Sequence, residues 1–444
     1  MYLDFLFERF KANKKNPAII WKEEKYSYNW LLDKTEEVNQ LLKEKKINSG
    51  DIVALRSDFN PFSIAFLLSL IENRNITVPI SFAVKTLKEF YSTAEVEKII
   101  EIQDEQFILK KRKVFVFHEL LLKLRKEKHP GLILFSSGST GKSKASVHDF
   151  VPLLNKFKIK RKTLRTITFL LFDHIGGINT LLYILSNTGT IVAPEDRSPE
   201  SICKLIEKYK VELLPTSPTF INMILISRAY EKYDISSLKL VTYGTETMPE
   251  STLRRFHKLF PNIKLKQTYG LSELGILRSI SRNSNSLWVK VGGEDYQTKV
   301  VDNILYVKAK TSMLGYLNAP SPFDRKGWFN TQDRVEVDGQ WIKILGRDTD
   351  IINVGGLKVY PTEVESVLLE MSNIIEAVVF PMSNPIMGNV VAAKVVLEKE
   401  ESLSSLKKRI RKFCKNKLES YKIPAYITIS SKPQVSDRFK KTRT

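Results

Sequence analysis

Residues 132–150, LILFSSGSTGKSKASVHDF, decide how the chain is read. Leu132 to Phe135 form a short apolar run bounded by turn formers, the mark of a buried strand. Ser136, Ser137, Gly138, Ser139, Thr140 and Gly141 then follow without one bulky side chain. Glycines let backbone N–H groups approach an anion closely, and the hydroxyls add donors. Lys142 and Lys144 bring positive charge to the same place. The stretch predicts a strand that runs into a phosphate-holding loop.

Two kinds of loop compete. The nucleotide-loop pattern Gly-x-x-x-x-Gly-Lys-Ser/Thr is nearly met at Gly141-Lys142-Ser143, but its first glycine would fall on Ser136. Val147 and Pro152 also make a poor start for the helix that such a loop needs. The other reading is a hydroxyl-rich loop, Ser-Gly-Ser-Thr-Gly-x-x-Lys, with Lys144 three residues past the last glycine. Taken alone, the loop is also compatible with a plain Ser/Gly-rich surface turn.

The chain has 444 residues and 43% apolar composition, enough for two or three domains with a large core. The run PFSIAFLLSLI, residues 61–71, is too short for a membrane span, which needs ~18 apolar residues. The early acidic residues of MYLDFLFERFKANKK argue against a secretory signal, so a cytoplasmic location is expected. Cys203 and Cys414 are the only cysteines, which excludes a disulfide framework and a Cys-rich zinc site. The net charge of +21 suits nucleic acid, an anionic membrane surface or an acidic ligand or protein. No zinc-finger or RNA-recognition signature accompanies the lysines, so no specific nucleic-acid partner is expected. A lysine-rich coding bias explains the charge equally well.

Outward from the loop, helical and strand patterns alternate. Residues 27–45 place Leu31, Val38, Leu41 and Leu42 on one helical face, followed by the strand IVALRS, the apolar helix FSIAFLLSLIE and the strand ITVPIS. Beyond the loop, three strand-like stretches end in polar or glycine-containing turns: a Pro-Thr-Ser-Pro-Thr turn, then Gly244-Thr245-Glu246, then Tyr269 to Glu273. Ligands of open α/β sheets sit at such carboxyl ends. Residues 287–345 switch to short strands and turns, and the pattern changes again near residue 347. The last hundred residues read as helix (361–371), strand (374–381), strand (390–397), helix (402–418), strand (425–430) and a basic tail. These patterns predict an α/β protein with a large layered domain over 1–346 and a small α+β domain over 347–444.

Four further segments carry a family resemblance with the hydroxyl-rich loop. TYGLSE (268–273), GWFNTQDRVEVD (327–338), GRDTDIINVGGLKVYPTEVESVL (346–368) and the tail KPQVSDRFKKTRT stand in an order and spacing similar to the adenylate-forming superfamily. That superfamily includes acyl-CoA synthetases, luciferases and peptide-synthetase adenylation domains, and a short acyl-CoA synthetase is the nearest kind. Gln332 and Phe439 occupy positions where the family pattern carries glycine.

The resemblance implies activation of a carboxylic acid by ATP and transfer of the acyl group to a thiol. Ser137, Gly138, Ser139, Thr140, Gly141 and Lys144 would cradle the ATP phosphates. Thr140 and Glu273 would stand near Mg²⁺, a role that suits a carboxylate. Gly244, Thr245, Glu246, Tyr269, Gly270 and Ser272 would line the nucleotide. An aromatic face can stack on adenine. Asp333 would accept from the ribose hydroxyls and Arg347 would contact ribose or phosphate. Lys440, three residues before Arg443, would bridge carboxylate and α-phosphate, with the small domain turning about Thr349. The Gly355-Gly356 loop would line the passage for a CoA or phosphopantetheine thiol; by itself it also reads as a hairpin turn.

FDHIGGIN (172–179) aligns in two ways. As a His-x-x-Gly segment it points to a fatty or aryl acid, with His174 at the pocket. As a Phe-Asp segment it points to an amino acid, with Asp173 on the ammonium. Thr219 in the turn before the next helix is a further candidate for the acid pocket. CoA carries phosphates and acyl carrier proteins are acidic, so either acceptor suits a basic chain. A basic nucleotide-binding protein without catalysis would keep the loop but should not need Lys440.

Overall fold

The computed structural model of the chain describes residues 2–137, 143–436 and 439–442. The deciding stretch folds as a hairpin. Strand Gly131–Ser137 pairs antiparallel with strand Ser143–Asp149, in register from Gly131↔Asp149 to Ser137↔Ser143. Helix Phe150–Asn155 begins only after that return strand, with Asp149 accepting from Val151 N–H at 2.8 Å. A helix-capped nucleotide loop is thereby excluded. Val147, far from stopping a helix, packs inside with Ala145, Ile133 and Phe135.

This hairpin lies in a seven-stranded mixed sheet whose parallel centre is Gly131–Ser137, Ile76–Ile80, Ile52–Arg56 and Lys98–Gln103. The helix Pro61–Glu72 is apolar almost all round because it is buried almost all round. Pro61 opens it, and Asn60 and Ser63 cap each other across its first turn. A second seven-stranded sheet runs Lys264–Gln267, Leu240–Tyr243, Leu213–Thr216, Thr166–Ile167, Ile191–Val192, Pro17–Trp21 and Glu24–Ser27. Its first six strands are parallel. The third, wholly antiparallel, holds Tyr269–Leu271, Gly275–Ser281, Trp288–Gly292, Trp341–Arg347, Phe329–Asp338, Ile304–Ala309 and Tyr296–Val301.

A smaller lobe follows the short turn Asp348–Asp350. Strands Leu357–Val359, Ile352–Val354, Gly388–Leu397, Ile374–Asn384 and Tyr426–Ile429 form its sheet. Helices Pro361–Leu368 and Leu403–Cys414 belong to the same lobe, and Leu406, Ile410 and Cys414 recur at i, i+4, i+8 on the buried face of the second. The lobe has its own core, including Ile352, Val379, Val395 and Ile427. It docks on the large lobe through Ser366 Oγ, which accepts from Ser251 N–H at 3.0 Å, and Ile375 O, which accepts from Asn222 Nδ2 at 3.2 Å. The chain is thus α/β, with a large multilayered body of parallel and mixed sheets and a small α+β lobe.

Candidate functional site

Strands Leu213–Thr216, Leu240–Tyr243 and Lys264–Gln267 run parallel and in step, so their carboxyl ends open on one edge. Gly244 and Thr245 leave the middle strand there, and Thr268 and Tyr269 leave its neighbour. Thr268 donates to Tyr243 O through its N–H at 2.7 Å and its hydroxyl at 3.0 Å. A Cβ on Gly244 would stand 2.6 Å from Thr268 Oγ1, so the two loops can touch only with glycine at that point. Tyr269 then pairs into the antiparallel sheet instead of staying in a loop. One chain segment joins two sheets, and the groups below gather at the joint.

On the antiparallel side, Tyr269 is buried and its hydroxyl donates to Asp333 Oδ2 at 2.6 Å. Asp333 also takes Thr331 Oγ1 at 3.0 Å on its N–H, and Arg347 Nε stands 3.7 Å from its Oδ1. Burial holds the Asp333 carboxyl above its usual range, against the opposing pull of the Tyr269 hydroxyl and the Arg347 charge. Arg347 keeps 52% of its side chain exposed, so its guanidinium is open to a ligand. Glu273 accepts from the Tyr316 hydroxyl at 2.5 Å, and Lys144 Nζ sits 5.3 Å from the centre of that same ring. Lys144 and Glu273, which sequence puts 129 positions apart, are brought together through Tyr316. No local pattern marked Tyr316. Gly270 and Ser272 lie in the same strand and turn.

Gly138, Ser139, Thr140 and Gly141 lie outside the described residues, as does the side chain of Ser137.

On the other side, a small cleft of about 20 Å³ is lined by Phe169, Leu170, Leu171, His174, Thr245, Phe439 and Lys440. The apolar run TITFLL (166–171), followed by the polar Asp173-His174, reads as a strand in sequence, and it is regular only at Thr166–Ile167. Thr168 N–H still donates to Val192 O at 3.1 Å, after which the chain leaves the sheet, and Arg197 Nε donates to Phe169 O at 2.8 Å. His174 caps helix Ile175–Ser186, its Nδ1 accepting from Gly176 N–H at 3.0 Å. Asp173 turns the other way, into the body, where its Oδ2 accepts from Ser81 Oγ at 3.0 Å. Of the two neighbours, His174 and not Asp173 lines the cleft.

Thr219 and Glu246 sit next to that cleft, in a second cavity that also includes Lys441 and Leu369. Glu246 is engaged at both oxygens, by Thr219 N–H at 2.8 Å and Lys441 N–H at 3.2 Å. The tail therefore crosses from the small lobe onto the large one. Ser217 Oγ donates to Phe439 O at 2.6 Å, and the Phe439 ring packs against Phe169 and Phe220 with centroids 5.0 and 5.6 Å away. Lys440 lines the cleft, while Lys441 buries its ammonium on Glu365 at 2.8 Å. Thr349 lies in the turn Asp348–Asp350, whose Asp348 is paired with Arg334 Nε at 2.5 Å. Gly355 and Gly356, at φ +58° and +88°, form the tip of a two-residue hairpin between Ile352–Val354 and Leu357–Val359.

The family model for AMP-binding enzyme matches residues 6–303, and that for the AMP-binding enzyme C-terminal domain matches residues 363–444. The chain belongs to the AMP-binding enzyme family. Among curated members, a long-chain-fatty-acid--CoA ligase of Bacillus subtilis is 26% identical over 420 residues, covering 86% of this chain and 70% of that protein. A long-chain-fatty-acid--CoA ligase of Haemophilus influenzae is 28% identical over 268 residues, 56% of this chain and 47% of that protein. The 4-coumarate--CoA ligase-like 9 of Arabidopsis thaliana is matched over 54% of its length, so against several such relatives this AMP-binding enzyme spans about half. Its fold is shared with the anthranilate CoA ligase AuaEII in complex with anthranoyl-AMP, at TM-score 0.84 and 18% identity, over 100% of this chain and 95% of that one. ATP-bound MatB from Rhodopseudomonas palustris superposes at TM-score 0.78 and 19% identity, over 98% and 96%. Among the described residues no helix is long and apolar enough to cross a membrane.

Proposed function

We propose that this AMP-binding enzyme is an AMP-forming acid–thiol ligase. A substrate carboxylate oxygen attacks the α-phosphorus of ATP, pyrophosphate leaves, and an acyl-adenylate forms. The sulfur of CoA then attacks the acyl carbon, and AMP leaves. No covalent nucleophile is required of the protein; positioning and charge stabilisation carry such a transfer. The observation that carries this reading is the meeting of Lys440, from the small lobe, with His174 and Thr245 at the edge where Tyr269 and Asp333 also gather.

The roles are those that the family resemblance implies, and the geometry is compatible with them. Asp333 accepts from the ribose hydroxyls and Arg347 faces ribose or phosphate. Lys144 adds positive charge on the phosphate side. Glu273, which accepts from the Tyr316 hydroxyl, would hold Mg²⁺, a hard cation that takes carboxylate oxygen and would neutralise phosphate charge. Lys440 supplies an ammonium where negative charge develops between carboxylate and α-phosphate. The apolar wall of Phe169, Leu170 and Leu171 suits an acyl or aryl acid. An amino-acid substrate would require a carboxylate in the cleft, and Asp173 is committed to Ser81 instead. The large body binds nucleotide and acid, the lobe beyond residue 346 delivers Lys440, and its Gly355-Gly356 tip flanks the thiol in a second pose reached by turning near Thr349. CoA is the acceptor that this reading favours over a carrier protein.

Acid-dependent ATP–pyrophosphate exchange, run with aliphatic and aryl acids of graded length, tests the activity. Lys440→Ala should lower exchange by ~100-fold or more while sparing thioester formation from supplied acyl-adenylate. Equal loss of both steps would remove Lys440 from the role assigned to it. No exchange with any acid would favour a nucleotide-binding protein without catalysis.

A further inference from the structure

Two lysines stand side by side in the tail, and only one can face the acid cleft. We propose that the buried Lys441–Glu365 ion pair fixes the register of the tail and so decides that Lys440 is the lysine presented. The inference rests on the ligase reading above and concerns positioning, not a group that touches substrate.

The pair is enclosed. The Lys441 side chain is 7% exposed and that of Glu365 is 1% exposed. Lys441 Nζ donates to Glu365 Oε2 at 2.8 Å and to Ala377 O at 3.0 Å. Glu365 Oε1 accepts from Val379 N–H at 3.0 Å, which ties helix Pro361–Leu368 to strand Ile374–Asn384. The backbone holds the same register. Val435 and Lys441 form an antiparallel bridge, Thr442 N–H donates to Gln434 O at 3.0 Å, and Ser436 N–H donates to Lys440 O at 2.8 Å. Gln434 N–H in turn donates to buried Glu376 at 2.8 Å.

Phe439, at φ +53°, turns the chain, and the two lysines that follow it have different surroundings, the cleft for Lys440 and Glu365 for Lys441. With Lys441 drawn into the small lobe, Lys440 is directed outward to the cleft. A slip of the tail by one residue would bring Lys441 to the place from which Lys440 lines the cleft. The opposite side of the tail is pinned to the large lobe by Phe439, between Phe169 and Phe220, and by Glu246 on Lys441 N–H. A buried ion pair contributes little net stability, because desolvation offsets attraction, and specifying register is its best-attested use.

The double variant Lys441→Met/Glu365→Gln separates register from stability. The amide of Gln offers a carbonyl to Val379 N–H and an N–H to Ala377 O, so the lobe is expected to fold with a melting temperature near the native one. The acid giving the fastest exchange in the native chain is used throughout. The double variant should lose ~30-fold in exchange kcat with KM for ATP within ~3-fold, and keep thioester formation from the supplied adenylate within ~3-fold. Exchange at the native rate, or equal loss in both steps, would overturn the proposal. A second measurement needs no variant. Amine-reactive labelling of the native chain, read by mass spectrometry, should modify Lys440, which lines the cleft, at least ~10-fold faster than Lys441, whose side chain is 7% exposed. Equal labelling would overturn the proposal by itself. If no acid sustains exchange in the native chain, the ligase reading fails, and the labelling ratio still decides the register.

Discussion

Three residues around the candidate site hold backbone conformations that glycine adopts more easily: Thr245 at φ +72°, Gln332 at +60° and Phe439 at +53°. A side chain there costs about 1–2 kcal/mol, and such strain tends to collect at working sites. Gln332 and Phe439 stand where the resembling family pattern carries glycine, and both hold a positive φ that glycine adopts without strain. Gln332 N–H is held by Asn330 Oδ1 at 2.8 Å, which helps fix the turn. Gln332→Gly should leave the melting point unchanged or raise it, by under ~1 kcal/mol, since relieved strain is partly offset by a more flexible unfolded chain. Gln332→Val should destabilise by about 1–2 kcal/mol, read by thermal or denaturant unfolding. Asp333 gives a pH prediction. Its carboxyl is raised by burial, and the Tyr269 hydroxyl lowers it. As pH falls through that raised value Asp333 protonates and loses its capacity as an ionised acceptor, so KM for ATP should rise. Tyr269→Phe should move that acid limb to higher pH in a kcat/KM profile. At this scale the residue types and their order along the chain were legible in sequence. Tyr316 escaped, because its link to Glu273 and Lys144 is made only by folding.

Elements built from strong local patterns were legible. The paired helices and strands of the small lobe, the capped helix after Asn60 and the strand ends of the parallel sheet all follow apolar periodicity and turn chemistry. Boundaries moved where tertiary contacts outvoted the pattern. The strand expected to end at Leu214 continues to Thr216 because its neighbour Leu240–Tyr243 pairs that far. TITFLL loses its regular strand after Ile167, since the chain must bend to begin helix Ile175–Ser186 beside the cleft. That bend depends on Gly177, where a Cβ would lie 2.1 Å from Leu171 O. Gly177→Ala should therefore shift the bend or the helix start, costing about 1–3 kcal/mol and displacing His174. Loss of acid affinity larger than loss of ATP affinity, together with a lower melting point, is the expected pair of readings.

At the scale of the molecule, stability is tied to pH through a core histidine. His148, in the deciding hairpin, is wholly buried, and burial pushes its imidazole down to about 4. The ordinary value is near 6.5, so below that the unfolded chain binds a proton that the folded chain refuses. Stability should be untouched by this group above about pH 6.5 and fall as pH drops toward 4, by about 3 kcal/mol in all. Unfolding in urea between pH 7 and 4.5 should show this loss, and His148→Gln should flatten it. The plan of a large amino-terminal and a small carboxyl-terminal domain was legible from the change of pattern late in the chain. The contacts between lobes were not, because Ser251, Ser366, Asn222 and Ile375 carry no mark of contact in sequence.

Phe439 belongs to the tail, yet its ring rests among the apolar residues of the large lobe. Whatever motion takes Lys440 away from the cleft must also draw that phenyl group out of its aromatic nest into water, at up to ~2 kcal/mol for the exposed carbon. On the proposed reading, that cost favours the docked tail over the undocked one by up to ~30-fold.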